Sequence, residues 1–404
     1  MRIRSTGLTL FAGLSILVAA CTSGTASTAP SAAPATTPPS TAPASTAPSA
    51  PPSVEPTSDL KIGVVTDVGA VNDKNFNQFS YAGAVNGAVS IGAKTPSVVV
   101  PKATSDYEPL LQAFIDQGFD IIVGVGFNLA NPTAKMAKAN PDIWFIGVDH
   151  DPCINAAGDV DTTFTDCSGV IATLLPKYIA INYAEDQAGY LAGIVAASAS
   201  KSGVIGAIGG VAICGPCVRY IQGYALGAQS VNPSIQVKVA WVTASDFVKG
   251  FFDQTGGTTF GQQFITQNAG LDVLFQVAGN TGNGVIDAAC AAGIDAIGVD
   301  VDQYQSYAAS QACILTSAEK HLAVSVSTSI QEIAADTAKG GKIIYNAAND
   351  GIGASPFYEA ASKLPADIQT KLDAALAGMK DGTVVTCPPA PACGKTPAPD
   401  PIIP

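Results

Sequence analysis

A strand–helix–strand unit occurs twice in this sequence. The segment GFDIIVGVG (Gly118–Gly126) is repeated in similar form as GLDVLFQVAG (Gly270–Gly279), and FIGVDHD (Phe145–Asp151) is repeated as AIGVDVD (Ala296–Asp302). The two copies lie about 150 residues apart. A chain that uses one α/β unit twice at this distance is predicted to form two similar lobes.

The spacing within the two copies also agrees. Asp120 and Asp149 are 29 residues apart in the first copy, and Asp272 and Asp300 are 28 residues apart in the second. Each Gly-Val-Asp sequence places a carboxylate at the carboxyl end of a buried strand, where open α/β sheets bind their ligands. We therefore expect Asp149 and Asp300 to face each other across a cleft that holds a small molecule.

The N-terminal region indicates export. Residues 1–20 contain two arginines followed by an apolar run that is too short to span a membrane, which is typical of a secretory signal peptide. The run ends Val-Ala-Ala before Cys21, the pattern of a bacterial lipoprotein signal, and an ordinary signal peptide is the alternative. After Cys21, the residues up to 57 are almost all Ser, Thr, Ala or Pro. A segment of this composition cannot bury enough apolar surface to fold. We expect a lipidated Cys21 and a disordered tether.

Composition limits the remaining chain. Residues 58–404 are too many for one hydrophobic core, so two domains are expected. The chain is 47% apolar, but glycine and proline divide the apolar residues into short runs, as in buried parallel strands. The formal net charge of −12 argues against a nucleic-acid partner, because an acidic surface repels a polyanion.

The cysteines are expected to form disulfides. Eight remain besides Cys21, an even number in an exported chain. Pairing each with its nearest neighbour predicts the bridges Cys153–Cys167, Cys214–Cys217, Cys290–Cys313 and Cys387–Cys393, because short loops close easily.

One of these pairs has a second interpretation. Cys214-Gly-Pro-Cys217 has the spacing of a thioredoxin-type motif, so a redox role is the alternative to a structural bridge. His150 and His321 are the only histidines, and neither lies at zinc-ligand spacing. We predict no metal site and no cofactor.

Short apolar strands alternate with helical patterns from Leu60 to Val299. This order predicts parallel sheets covered by helices. In the second half, helices are expected over Tyr220–Ser230, Thr259–Gln267 and Gly284–Ala292.

Several motifs, in a fixed order and spacing, resemble one known family. The first is VVTDVGAVNDKNFNQFSYAGAVNGA at Val64–Ala88, and the others are Asp106–Glu108, Gln187–Gly193, Ala278–Gly282, Gly298–Gln303, Thr316–Lys320 and Asn349–Gly353. Together they resemble the basic membrane protein family, which comprises lipoprotein substrate-binding subunits of ABC transporters typified by purine nucleoside receptors.

This resemblance implies a type I periplasmic-binding-protein fold, in which two doubly wound parallel-sheet lobes are joined by three hinge segments. The hinges are expected near Asn182–Asp186, Ile314–Ser317 and Tyr345–Asn349. The N-terminal lobe would then comprise residues 58–184 and 315–345, and the C-terminal lobe would comprise residues 185–314 and 346–385. Residues 386–404 would form a tail that is rich in proline and cysteine.

The resemblance also implies a ligand site. Phe76 and Phe247 match an aromatic pair that sandwiches a heterocycle, Asp149 matches the residue that binds the base, and Asp300 with Lys320 matches a pair that binds the ribose. The physical chemistry agrees, because a carboxylate accepts hydrogen bonds from a cis-diol and an ammonium donates to the same oxygens. The remaining implied contacts are Asp67, Asp73, Asn75, Asn77, Gly279 and Gly282.

Two departures from the family pattern concern ligand selectivity. Asn75 replaces the usual serine, and Asp151–Pro176 is expected to be an insertion beside Asp149. The domain after the tether has a single arginine, Arg219, whereas anionic ligands are commonly bound by arginine. A neutral ligand is therefore favoured.

We expect a monomeric binding protein, lipid-anchored at the outer face of the cytoplasmic membrane, that captures a nucleoside, preferentially a purine nucleoside. Its partners would be ABC permease and ATPase subunits, with no nucleic acid. The alternative is a ligand-sensing protein of the same fold for a flavin-like heterocycle or a sugar. The sequence has no Ser–His–Asp pattern and no metal-ligand cluster that would favour an enzyme.

Overall fold

The computed structural model of this chain describes residues 57–403. The expected signal peptide, Cys21 and residues 21–56 of the expected tether lie outside the described residues. Within residues 57–403, no helix combines the length and the apolar character needed to cross a membrane.

The first lobe begins with strands that are apolar on both faces, as expected for a sheet covered by helices on each side. All residues of its strands over 62–65 and 121–125 are buried. Its elements in chain order are β1 (Ile62–Val65), α1 (Phe76–Ser90), β2 (Ser97–Val99), α2 (Tyr107–Asp116), β3 (Ile121–Val125), α3 (Ala130–Ala139), β4 (Trp144–Val148), α4 (Ile171–Leu174) and β5 (Tyr178–Tyr183).

The second lobe repeats this alternation. Its elements are α5 (Glu185–Ala199), β6 (Val204–Val211), α6 (Gly215–Val231), β7 (Gln236–Thr243), α7 (Phe247–Phe251), α8 (Gln254–Gln267), β8 (Val273–Val277), α9 (Gly279–Ala292), β9 (Asp295–Asp300), α10 (Gln303–Ser306) and β10 (Ile314–Lys320). The chain continues through α11 (Leu322–Ala334), β11 (Gly341–Tyr345), β12 (Ile352–Ala354) and α12 (Ile368–Asp381).

The two six-stranded sheets have equivalent strand orders. The first is β2-β1-β3-β4-β5-β11 and the second is β7-β6-β8-β9-β10-β12. All neighbours are parallel except β12, which runs antiparallel to β10. The repeated sequence units therefore form β3–α3–β4 in one sheet and β8–α9–β9 in the other, at equivalent positions.

The chain passes between the sheets three times: between β5 and α5, between β10 and α11, and between β11 and β12. The second crossing was expected near Ile314–Ser317, and this position is wrong. The segment Ile314–Lys320 is a strand of the second sheet that pairs with β9, so the crossing follows Lys320. The helix after it, α11, packs on α1 of the first lobe, where a side chain at Gly83 would lie 2.9 Å from Val326 Cβ.

Three helices of the second lobe start earlier than the sequence predicts, and one of them, α9, was expected from Gly284 and begins at Gly279. Helix α6 was expected from Tyr220 and begins at Gly215, because Cys214 caps it and Pro216 lies in its first turn. Helix α8 was expected from Thr259 and begins at Gln254, because the Asp253 carboxylate accepts a hydrogen bond from Gly256 N. Glycine-containing first turns resemble loops in a sequence, and the caps stabilise those of α6 and α8 as helix.

The structure contains all four expected disulfides: Cys153–Cys167, Cys214–Cys217, Cys290–Cys313 and Cys387–Cys393. The third ties α9 to the segment before β10. The fourth lies in the tail, which folds back onto α6, where Gln222 Nε2 donates to the carbonyls of Ala392 (2.9 Å) and Ile402 (3.2 Å).

Candidate ligand-binding site

The two repeated aspartates lie at the carboxyl ends of equivalent strands. Asp149 follows β4 and Asp300 is the last residue of β9. Both adopt left-handed backbone conformations, with φ of 60° and 65°. Such conformations are uncommon for residues other than glycine, although aspartate tolerates them better than most, and they concentrate at functional sites. The turns direct both carboxylates into the space between the lobes.

A buried lysine joins these carboxylates. Lys320, at the end of β10, has its side chain 2% exposed. Its Nζ lies 2.6 Å from Asp149 Oδ2, 3.2 Å from Glu185 Oε1 and 3.7 Å from Asp300 Oδ1. Asp149 belongs to the first lobe and Asp300 to the second, so one ammonium group connects the two lobes.

Glu185 and its arginine were missed by the sequence reasoning as site residues. Glu185 is the first residue of α5 and is 1% exposed. Arg219, on the first turns of α6, donates from Nε to Glu185 Oε2 at 2.7 Å. The next residue, Tyr220, donates its hydroxyl to Asp300 Oδ1 at 3.2 Å. A glutamate at a helix start usually indicates only a favourable interaction with the helix dipole, so no sequence pattern predicts this burial.

Burial and the attraction between opposite charges shift the pKa values of the groups in this cluster. Burial raises the pKa of Asp149 to about 6, although Lys320 opposes the shift. Burial also raises the pKa of Asp300. Burial alone would raise the pKa of Glu185, but Arg219 and Lys320 together hold it below its ordinary value. Burial would lower the pKa of Lys320, and the surrounding carboxylates raise it instead, so its ammonium stays charged.

Aromatic rings surround the same ammonium. Lys320 Nζ lies 5.4 Å from the ring centroid of Phe76, 5.2 Å from that of Tyr183 and 5.4 Å from that of Tyr220. These distances are within the range of cation–π attraction. Apolar rings and ionic groups therefore share one site, as recognition of a ligand with an aromatic part and a polar part requires.

A cavity of about 80 Å³ lies between the lobes at this cluster. Eight of the eleven residues expected to bind ligand line it: Asp67, Asp73, Phe76, Asn77, Asp149, Gly279, Asp300 and Lys320. Its other walls include Phe127, Tyr220, Phe251, Phe252 and the Cys214–Cys217 segment. This volume is below the roughly 300–1,000 Å³ of typical ligand pockets, so the lobes are closely apposed here.

The first-lobe residues are held by hydrogen bonds to the backbone. Asp73 accepts from the backbone nitrogens of Asn75 (2.8 Å), Asn77 (3.0 Å) and Gln78 (3.1 Å), which fixes the start of α1. Asp67 accepts from the Tyr107 hydroxyl and from Val68 N. Burial raises the pKa of Asp67 and of Asp73 to about 6 in each case.

Three of the expected contacts do not line this cavity. Asn75 is fully buried, and its side-chain amide makes no hydrogen bond with any described residue. A side chain at Gly282 would collide with the Gln276 amide 1.6 Å away, so this glycine permits packing inside the lobe. Phe247 lines an adjoining cavity together with Phe127.

At α7 and the residue after it, the side chains that line the cavity are Phe251 and Phe252, and Tyr220 of α6 is the further aromatic residue of the second lobe there. Phe247 lies one turn earlier on α7 and packs against Phe127 at 5.6 Å and against Phe251 at 6.4 Å between ring centroids. The run Phe247-Val-Lys-Gly-Phe-Phe252 contains three candidates. Asp246 caps the start of α7, and in this register Phe251 and Phe252 line the first cavity while Phe247 lines the adjoining one.

The Cys214–Cys217 disulfide forms part of the cavity wall. It lies between β6 and α6, which is the position that Asp67–Asn77 occupies between β1 and α1 in the first lobe. Cys214 is 2% exposed and Cys217 6% exposed. The bridge fixes the turn that carries Arg219 and Tyr220 into the charge cluster.

Two parallel-sheet lobes, connected by three crossings and enclosing a lined cavity, define a ligand-binding protein of the type I periplasmic-binding fold. Among residues 57–403, no three His, Cys, Asp or Glu side chains are grouped so that they could hold a metal ion. A family model described as ABC transporter substrate-binding protein PnrA-like matches residues 60–374. The chain belongs to this family, whose members are substrate-binding proteins of ABC transporters rather than enzymes, and the resemblance found in the sequence is confirmed.

Individual relatives agree with this assignment. The ABC transporter nucleoside-binding protein BmpA of Lactococcus lactis subsp. cremoris is 29% identical over 340 residues, covering 77% of this chain and 87% of the relative. The CD4+ T-cell-stimulating antigen of Listeria monocytogenes is 27% identical over 349 residues, covering 81% and 88%. A lipoprotein of Pyrococcus furiosus is 27% identical over 308 residues, covering 73% and 69%.

Solved structures share the fold. A solute-binding protein of an ABC transporter system from Aeropyrum pernix K1 has a TM-score of 0.65 at 22% identity, covering 82% of this chain and 95% of the other. A second, from Conexibacter woesei, has a TM-score of 0.61 at 23% identity, covering 81% and 98%. The predicted fold class is confirmed.

The charge cluster predicts a strong, pH-dependent effect of removing Lys320. Lys320→Met leaves three buried carboxylates without their shared cation and should reduce the free energy of unfolding by about 3–5 kcal/mol near pH 7.5. Without the ammonium the pKa of Asp149 rises above its value of about 6, so the folded variant binds protons that the unfolded chain has released. Its stability should therefore fall more steeply than that of the unchanged protein as the pH rises from 5 to 7.5. Denaturant unfolding at the two pH values measures this.

Lys135→Met is the matched control. Lys135 Nζ lies 2.6 Å from Glu108 Oε2, but the two side chains are 59% and 43% exposed. An exposed pair of this kind contributes less than about 1 kcal/mol. Equal losses in the two variants, or a loss at Lys320 that does not change with pH, would contradict the description of the cluster.

Proposed function

We propose that this protein captures a nucleoside, preferentially a purine nucleoside, in the cavity between its lobes and delivers it to an ABC permease. One observation carries the proposal. Asp149 uses Oδ2 to accept from Lys320, while its buried Oδ1 has no hydrogen-bond partner among the described residues. An unpartnered buried carboxylate oxygen is unfavourable unless a ligand donates to it. The N–H edge of a base is such a donor.

The other polar groups suit a ribose. Asp300 and Lys320 line the same cavity and come from the second lobe. A cis-diol can donate both hydroxyl hydrogens to the Asp300 carboxylate and accept from the Lys320 ammonium. A ligand that contacts Asp149 in one lobe and Asp300 in the other would stabilise closure, because it binds the closed state more tightly than the open one.

The aromatic residues suit a flat heterocycle. Phe76 and Phe251 come from different lobes and line the same cavity. Stacking of a base on such rings contributes roughly 1–3 kcal/mol per base. We assign the stacking role to Phe76 and Phe251. Phe247 packs against Phe127 and Phe251 from outside this cavity.

The charges favour a neutral ligand. Arg219, the one arginine after the tether, already donates to Glu185. Lys320 is shared by three carboxylates. A phosphate would meet acidic groups without a free arginine to bind it. This arrangement supports a nucleoside rather than a nucleotide, and the name of the Lactococcus lactis relative, a nucleoside-binding protein, points the same way.

Location and partners follow from the family and the N-terminal sequence. Substrate-binding proteins of ABC transporters work with permease and ATPase subunits. We propose that acylation at Cys21 anchors this protein at the outer face of the cytoplasmic membrane, that residues 21–57 form the tether, and that the protein acts as a monomer.

A ligand panel tests the proposal directly. Purine and pyrimidine nucleosides, free bases, riboflavin, sugars and amino acids would be compared by thermal shift and then by calorimetry. A purine nucleoside at about 100 times its Kd should stabilise the fold by about 2.7 kcal/mol. Stabilisation by riboflavin or a sugar without any nucleoside effect would replace the proposal with the alternative ligand class.

Substitutions of Asp149 and Asp300, the two aspartates with positive φ, should separate recognition of the sugar from recognition of the base. Asp300→Asn keeps a residue that tolerates positive φ, but it removes the charge assigned to the ribose. It should weaken purine nucleoside binding by roughly 10–100-fold and abolish most of the preference over the 2′-deoxy analogue. The matched variant Asp149→Asn should reduce the preference among bases and keep the preference for the 2′-hydroxyl. Calorimetry with both ligands on both variants measures this, and an unchanged 2′-hydroxyl preference in Asp300→Asn would exclude the ribose assignment.

The aromatic assignment predicts a graded response along α7. Phe76→Ala and Phe251→Ala should each weaken nucleoside binding by roughly tenfold or more, whereas Phe247→Ala should have a smaller effect because its ring lies outside the cavity. All three melting temperatures without ligand provide the control for folding. A larger loss of affinity from Phe247→Ala than from Phe251→Ala would restore Phe247 as the stacking residue.

A further inference from the structure

A second, larger cavity adjoins the proposed nucleoside site. Its volume is about 970 Å³, and it shares Phe127, Asp149 and Pro216 with the first cavity. This volume lies at the upper end of the range for small-molecule pockets. The shared residues include Asp149, so the second cavity, here called the side chamber, opens beside the proposed base end of the site.

Two segments of the chain, an expected insertion and the C-terminal tail, form part of the side chamber. One is the expected insertion after Asp149, which contributes Cys153, Cys167 and Phe164. The other is the C-terminal tail, which contributes Gly394 and Thr396 and lies beyond the family match at residues 60–374. Each segment contains its own disulfide.

Further contacts fix the tail that forms one wall. Gly394 N donates to Gln222 Oε1 at 2.8 Å, and Ala398 N donates to Ala212 O at 2.8 Å. Ile402 is buried against the second lobe. The walls on both sides are therefore cross-linked and anchored, as a preformed binding pocket requires.

The lining combines apolar side chains with polar ones such as Asn128, Asn131 and Asn182, and its charges are paired. Phe164, Val170 and Ile213 are 66%, 58% and 39% exposed, and all three face the side chamber from the two lobes. Lys342 binds Asp151 at 2.8 Å, and Arg219 binds Glu185. A neutral apolar group that enters the side chamber would cover the three exposed hydrophobic side chains and would break none of these ion pairs.

We propose that the preferred ligand is a purine nucleoside whose base carries a bulky, neutral, apolar substituent, and that this substituent occupies the side chamber. The inference rests on the proposed nucleoside function and on the assignment of Asp149 to the base. Phe127, Pro216 and Asp149 are common to both cavities. With the base at Asp149, the inference places the substituent on the exocyclic nitrogen, from which it would enter the side chamber between Phe127 and Pro216.

Calorimetry with adenosine and N6-benzyladenosine tests the inference. The benzyl compound should bind at least tenfold more tightly, which corresponds to about 1.4 kcal/mol. Val170→Trp fills the side chamber from an exposed position and should bring the ratio of the two Kd values close to 1. Val89→Trp is the matched control, because Val89 is 73% exposed on α1 and lines neither cavity. It should leave the ratio unchanged.

The outcomes separate the two proposals. Adenosine binding that is equal to or tighter than benzyladenosine binding overturns the side-chamber inference and leaves the nucleoside function intact. A benzyl advantage that persists in Val170→Trp also overturns it, because the gain then arises elsewhere. Failure of both compounds to bind overturns the nucleoside function together with this inference.

Discussion

The interaction on which this structure depends is the contact of one buried ammonium group with carboxylates from both lobes. Lys320 lies at the end of β10, immediately before the chain crosses back to the first lobe. A lysine buried to this degree is tolerated only with ionic partners, because removing its charge from water is strongly unfavourable. Asp149, Glu185 and Asp300 supply those partners. The lobes can therefore approach fully only if these groups meet, so the ion cluster and the closed cleft form together.

The two lobes have the same architecture but different chemistry at their first strand-to-helix junctions. In the first lobe Asp73 fixes the start of α1 through three backbone hydrogen bonds. In the second lobe the Cys214–Cys217 disulfide constrains the start of α6. Both solutions hold a helix N-terminus at the cavity. The second is covalent, and it also positions Arg219 and Tyr220, whose partners Glu185 and Asp300 both contact Lys320.

The fold followed from the sequence more readily than the site did. The repeated units predicted two sheets, and Asp149 and Asp300 occupy equivalent strand ends, because strand-end position depends only on local sequence. The stacking residue on α7 could not be chosen from the sequence, since Phe247 and Phe251 lie one helical turn apart, and of the two only Phe251 lines the first cavity. Glu185 was missed because its partner Arg219 is 34 residues away in sequence, and tertiary packing alone brings them together. The second crossing was predicted too early in the chain, because the sequence of β10 does not indicate which of the two sheets this strand joins.

Under the proposed function, the same cluster that holds the lobes together would also determine which charges a ligand can carry. Lys320 and Arg219 face three carboxylates, which leaves one excess negative charge when all five groups are ionised. An anionic ligand would add repulsion at Asp149 and Asp300 inside a site where water screens charges poorly. A cationic ligand would compete with Lys320 for the carboxylates on which closure depends. A neutral ligand that donates hydrogen bonds satisfies the free oxygen of Asp149 and leaves the cluster intact, so the condition for lobe closure and the condition for ligand selection are met by the same atoms.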